Sequence, residues 1–96
     1  MATIARTILK IKPGQWENMM EFGRSKNEEV SAIPGIISWG WAETGDKDEI
    51  TLIVVYKDRD SAKAAVQIAG QILSELATFV AAQPDRVLLN AEWFTP

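Results

Sequence analysis

Tyr56 is the side chain in this sequence best suited to chemistry. It closes the run Ile50-Thr51-Leu52-Ile53-Val54-Val55, just before Lys57-Asp58, where a strand gives way to a helix. A phenol with a pKa near 10 is a poor base at neutral pH but a good hydrogen-bond donor. Its chemical role would therefore be to orient an oxygen atom of a ligand; its structural alternative is a half-buried aromatic with the hydroxyl in water. Trp16, Trp39, Trp41 and Trp93 are many indoles for 96 residues. Indoles line sites for flat aromatic ligands, and they also fill cores and subunit interfaces. Arg6 and Lys10 fall on one face of the first strand, with Asn90 and Glu92 expected beside them on a neighbouring strand. If that face is buried the charges must pair, because an unpaired buried charge is very costly; otherwise they could bind a phenolate or carboxylate.

The absences narrow the chemistry further. The chain has no cysteine, which removes disulfides, thiolate nucleophiles and thiolate metal sites. It has no histidine, which removes the usual general base near neutral pH, the usual haem ligand and the usual zinc ligand. A metal would need carboxylates alone. Asp46, Lys47, Asp48 and Glu49 read as a solvated turn with too few ligands, so no metal site is expected. Met19 and Met20 read first as gap-filling core side chains. A net charge of −3 argues against binding a nucleic-acid backbone. No apolar run approaches the ~18 residues of a membrane span. The first residues, Met1-Ala2-Thr3-Ile4-Ala5-Arg6, do not read as a signal peptide, and a cytoplasmic protein is expected.

Two Pro-Gly pairs set the elements that must position these side chains. They are Pro13-Gly14 after the first apolar segment and Pro34-Gly35 before the second. Proline fixes φ and glycine permits φ > 0, so each pair marks a turn. Thr3 to Ile11 alternates as a strand, its odd positions small and apolar and its even positions carrying Arg6 and Lys10. Gln15 to about Ser31 has helical spacing, weakened at Gly23. Ile36 to Ala42 is a second strand, with Ile37, Trp39 and Trp41 on one face. Thr44 to Asp48 forms a hairpin connection, and Glu49 to Lys57 a third strand that is apolar on both faces. Asp58, Asp60 or Ser61 caps a second helix running to about Ala82. Val87 to Phe94 is a fourth strand, with Val87, Leu89, Ala91 and Trp93 on one face and Leu88, Asn90, Glu92 and Phe94 on the other.

This order predicts one α+β domain over residues 1–96: a ferredoxin-like βαββαβ fold whose antiparallel four-stranded sheet, in strand order 4-1-3-2, carries both helices on one face. Ile4, Ile8, Leu88 and Phe94 would then lie on the uncovered face, a larger apolar patch than a monomer usually exposes. A second copy is the simplest cover, sheet against sheet. An RNA-binding domain of the same topology is disfavoured, because the third strand reads Thr51-Leu52-Ile53-Val54-Val55 and lacks basic and aromatic stacking residues.

Lys10-Ile11-Lys12-Pro13-Gly14, Ile33-Pro34-Gly35 and Val54-Val55-Tyr56-Lys57-Asp58 together make the chain resemble the antibiotic biosynthesis monooxygenase-like domains of the dimeric α/β-barrel superfamily. The resemblance spans essentially the whole chain. It implies a homodimer and a pocket between the sheet and helices of each subunit. In haem-degrading members an Asn, a Trp and a His define that pocket; here Thr7 resembles the Asn position, Tyr56 the Trp position, and no His is present, so no haem is implied. The quinone-forming members act on polycyclic phenols without metal or flavin. The resemblance thus implies a cofactor-free oxygenase for an aromatic or polyketide-like substrate. Tyr56 and Thr7 would be its catalytic hydrogen-bonding residues, with Trp16, Trp39, Trp93 and Met20 around the substrate. The alternative is a non-catalytic homodimer that binds a small ligand or serves as an interaction module, which needs no base.

Overall fold

Two-residue alternation along the first strand decides which side chains the helices cover. The computed structural model describes residues 1–92. Its elements are β1 (Thr3–Lys10), α1 (Trp16–Ser25), α2 (Asn27–Ser31), β2 (Ile36–Glu43), β3 (Glu49–Tyr56), α3 (Arg59–Ile68), α4 (Gly70–Leu76) and β4 (Asp85–Asn90). The sheet order is β2-β3-β1-β4 with antiparallel neighbours throughout, as the ferredoxin-like pattern requires. Thr3, Ala5, Thr7 and Leu9 are buried, and the even positions of β1 are more exposed.

Register places directly opposed residues on a common face. Three rows therefore run across the helix side of the sheet: Ile36–Tyr56–Thr3–Asn90, Trp39–Val54–Ala5–Leu88 and Trp41–Leu52–Thr7–Arg86. Two core clusters pack there. One holds Ala5, Ile33, Val54, Tyr56, Ala62 and Ala65; the other holds Leu9, Ile11, Met19, Ile50, Leu76 and Val80.

The register corrects three expectations. β4 is turned over: Leu88 packs on the core beside Ala5, whereas Val87 and Leu89 lie on the open face with Arg6 and Ile4. Arg6 and Lys10 consequently do not meet Asn90 and Glu92. Arg6 stands between Ile53 and Val87. Lys10 pairs with Glu49 at 3.3 Å, which also draws Glu49 out of the predicted solvated turn into a buried strand position. In β2 a bulge between Ile36 and Ser38 puts Ile36, not Ile37, in the core with Trp39. The bulge inserts one residue into the alternation and reverses it.

Each predicted helix is two. Lys26 leaves helical geometry at φ −98°, ψ 2° after Gly23 and after Ser25, whose hydroxyl donates to the Phe22 carbonyl at 2.7 Å. Ala69 breaks the other at φ −89°, ψ 12°, just before Gly70. α4 stops at Leu76, short of Ala82, because the chain turns back to β1. There Lys12 N donates to Phe79 O at 2.9 Å and Ala81 N to Lys10 O at 2.7 Å. β4 begins earlier than predicted, at Asp85 opposite Ile8, and ends at Asn90; Trp93 and Phe94 lie outside the described residues. The helices cover one face of β3 alone, leaving Ile53 39% exposed on the other. Among the described residues no helix is long and apolar enough to cross a membrane.

Gly35 joins the helices to the sheet. Its φ is +88°, a Cβ there would run into the Ser61 side chain, and its carbonyl accepts from Lys57 N at 2.8 Å. We expect Gly35→Ala to lower unfolding stability by about 1–3 kcal/mol through backbone strain and crowding. The check is a denaturant melt, and an unchanged midpoint would contradict this account of the turn.

Candidate functional site

The floor of the sheet is lined by small residues at its centre and large ones at its edge. Ala5 and Thr7 lie in the middle, with Trp39 and Trp41 on edge strand β2. Ala65 and Ala69 face them from the helix layer, so the helices rest on the periphery and leave space above β1. That space is a cavity of about 460 Å³. It lies within the roughly 300–1,000 Å³ usual for small-molecule sites and has room for a fused aromatic ring system. Its walls are mainly apolar, including Ile33, Leu52, Val54 and Leu76.

Polar groups enter this apolar space at a few points. Thr7 and Tyr56 both line it, as does Trp39, so the structure brings together three of the side chains singled out in the sequence. Tyr56 is 5% exposed and is followed at once by the start of α3. There Asp58 accepts a capping hydrogen bond from Ser61 N at 2.7 Å; the Ser61 hydroxyl first, and this N–H second, hold its carboxyl below its usual pKa. The cap fixes the junction at which Tyr56 stands. Burial raises the Tyr56 phenol above its ordinary value of 10, and the neighbouring Arg86 guanidinium works against that shift. Tyr56 is therefore a neutral donor at pH 7.

Arg86 is the residue that sequence reasoning missed. It stands directly opposite Thr7 in register, lines the cavity and donates to the Ala62 carbonyl at 3.1 Å. Among the described residues no carboxylate lies within ion-pair distance of it. Lys26, the other cation on the cavity wall, is engaged by Glu75 at 3.2 Å and Glu29 at 3.5 Å. Its ammonium pKa is raised, chiefly by the hydrogen bond to Glu75. Arg86 thus supplies uncompensated positive charge at one side of the cavity. The parity of β4 was the signal for it: once Leu88 faces the core, Arg86 must as well.

Other candidates lie elsewhere. Trp16 and Met20 pack against the cluster around Leu9 and Met19. Met20 also lines an outer groove of about 420 Å³ between α1 and β2, with Arg24 and Asn27. Trp93 is outside the described residues. Trp41, not singled out as a site residue from sequence, lines both the cavity and the groove.

The topology is that of a ferredoxin-like domain. No family model and no curated protein matches the sequence. Solved structures match its fold. A protein of unknown function from Nitrosomonas europaea superposes with a TM-score of 0.86 at 18% identity, over 99% of this chain and 93% of that one. A monooxygenase from Streptomyces coelicolor, solved in complex with the ligand nanaomycin D, gives 0.80 at 12% identity, over 99% and 91%. A cofactor-independent oxygenase from Streptomyces nogalater gives 0.78 at 16% identity, over 99% and 97%. The chain has the fold of the antibiotic biosynthesis monooxygenase-like proteins.

Tyr56 is the sole tyrosine, so phenolate absorbance in an alkaline titration reports it alone. The folded protein should titrate above pH 10, and Arg86→Ala should move the midpoint higher still. The unfolded phenol loses its proton first. Tyr56 therefore contributes stability that is intact below about pH 10 and is lost as pH rises through the folded pKa. A folded-state midpoint at or below 10 would contradict the buried placement.

Proposed function

We propose that this protein is a small-molecule oxygenase that acts on an aromatic or polyketide-like phenol without haem or metal. The observation that carries the reading is the apolar cavity in which Thr7, Tyr56 and Arg86 are the polar groups on the sheet side. A positive charge within about 4–6 Å lowers an acid's pKa by roughly 1–3 units. A phenol beside Arg86 would therefore ionise closer to neutral pH. Tyr56 donates to the substrate oxygen, Thr7 adds a second hydrogen bond, and Trp39 stacks on the ring. The electron-rich anion then reduces dioxygen directly. A carbon–oxygen bond forms at the ring carbon, which gives up its C–H proton, and loss of water from the resulting peroxide leaves a quinone. One O2 is consumed, and one of its atoms appears in the product and the other in water. The likeness in fold to a monooxygenase and to a cofactor-independent oxygenase supports this reading.

The working form is a homodimer joined through the open sheet face. Ile53 and Leu89 are 39% and 44% exposed there, and Arg6 has a buried Nε with no partner among the described residues. A second copy would cover the apolar atoms and bring acceptors to Arg6.

One observation favours the non-catalytic alternative, a dimer that binds a small ligand. Among the described residues lining the cavity there is no Asp, Glu or His. The oxygenase reading must then send the phenolic proton to water.

The test is turnover of naphthol- and anthrone-like compounds under ¹⁸O2, read by mass spectrometry. We expect one labelled oxygen per product, with product formation reduced about 10²-fold or more in Tyr56→Phe and Arg86→Ala, and less in Thr7→Val. The same preparation should sediment at twice the 10.6 kDa chain mass. Tight binding without label incorporation would establish the alternative, and a 10.6 kDa species at micromolar concentration would remove the dimer.

A further inference from the structure

The cavity above β1 and the outer groove share three lining residues, Gly23, Trp39 and Trp41. The two spaces are thus separated by little more than a pair of indoles, whose rings meet edge to face at 6.4 Å and 67°. The indoles are held differently. Trp39 Nε1 donates to Ser31 Oγ at 3.2 Å, which ties that ring to α2. Trp41 Nε1 is buried and has no hydrogen-bond partner among the described residues. A buried donor without an acceptor is a standing penalty on the position that buries it, and any rotation that lets water reach it relieves the penalty.

Gly23 makes that position possible. A Cβ at residue 23 would lie 2.5–2.9 Å from three carbons of the Trp41 six-membered ring. The ring therefore lies flush on α1 through packing contact, against a residue that itself weakens the helix. β2 is an edge strand, so Trp41 has a neighbouring strand on one side only. Trp41 also borders the outer groove of about 420 Å³ between α1 and β2. The surroundings thus leave space into which the indole can turn.

We propose that Trp41 is the gate of the cavity, an indole that swings off Gly23 to admit a flat ligand from the groove between α1 and β2. Trp39, anchored on Ser31, is the fixed post. The inference goes beyond the oxygenase reading, because it concerns access and holds for any apolar ligand. It assigns the groove as the entry path and makes residue 23 the determinant of how far the gate closes.

Two measurements test it. The first needs no ligand: hydrogen exchange of the indole N–H groups by NMR. In the closed position the Trp41 N–H is sealed, so it exchanges when the gate opens. Its exchange should be faster than that of the slowest backbone amides of β1 and β3 and insensitive to mild denaturant. In Gly23→Ala, where the ring cannot seat, it should rise at least tenfold. Exchange as slow as those sheet amides, with the same denaturant dependence, would overturn the proposal. The second uses the dye 1-anilinonaphthalene-8-sulfonate in stopped flow. The wild-type association rate should level off at high dye concentration. That ceiling should rise at least fivefold in Gly23→Ala and in Trp41→Ala, which covers the case in which the first variant does not fold, and stay unchanged in Lys63→Ala, an exposed position that lines neither space. Equal rates in wild type and Trp41→Ala would overturn the gate. Because the exchange measurement involves no substrate, failure of the gate and failure of the oxygenase reading give different results.

Discussion

The architecture depends on the register of β1 between β3 and β4. β1 is the strand through which the two halves of the fold meet, and its odd face sends Thr3, Ala5, Thr7 and Leu9 beneath the helices. Leu9 is fully buried and packs one end of the domain tightly, with Ile50 and Met19. Ala5 and Thr7 are too short to do the same in the middle. Close packing is the norm in protein interiors, and a central void costs stability. Here small residues in the floor and the helix layer coincide with large indoles on the rim, and the outcome is a chamber. A one-residue slip of β1 would put Arg6 in the core and remove the chamber altogether.

The same register brings the polar groups together. Thr7 belongs to the row that ends in Arg86, and Tyr56 terminates the strand that pairs with Thr3. Arg86 is exposed on β4, so water screens part of its charge, and its effect is largest on a ligand atom in direct contact with it. Lys26 is already engaged by Glu75 and Glu29, which leaves Arg86 as the cation on the cavity wall without a carboxylate partner among the described residues. On the proposed function, this is how a chain without histidine would favour a flat molecule carrying a negative or readily ionised oxygen.

Much of this was legible in the sequence, for identifiable reasons. The Pro-Gly pairs are backbone constraints, and Gly14 and Gly35 both take positive φ where they were expected to turn the chain. The odd face of β1 and the position of Tyr56 followed from clean alternation and from the Asp58 cap. β4 was not legible in the same way. Val87, Leu88 and Leu89 are consecutive apolar residues, so alternation carries no sign there, and a strand begun at Val87 leaves Arg86 outside it. The bulge in β2 reversed Ile36 and Ile37 because an inserted residue leaves no compositional mark. The breaks at Lys26 and Ala69 were obscured by apolar spacing that continues through them. Trp41 was one of four indoles in sequence, and its distinction arises from the absence of a Cβ at Gly23, a contact between segments that no local pattern records.

The central claim is that the space above β1 is a ligand site with its polar end at Thr7, Tyr56 and Arg86. Backbone and side-chain NMR shifts on titration with 1-naphthol test it most directly. The account predicts saturable shifts concentrated at Thr7, Leu52, Val54, Tyr56 and the Arg86 guanidinium, with the even face of β1 unaffected. Shifts confined to Ile4, Ile8, Ile53 and Leu89 on the open face, or none at millimolar naphthol, would contradict it.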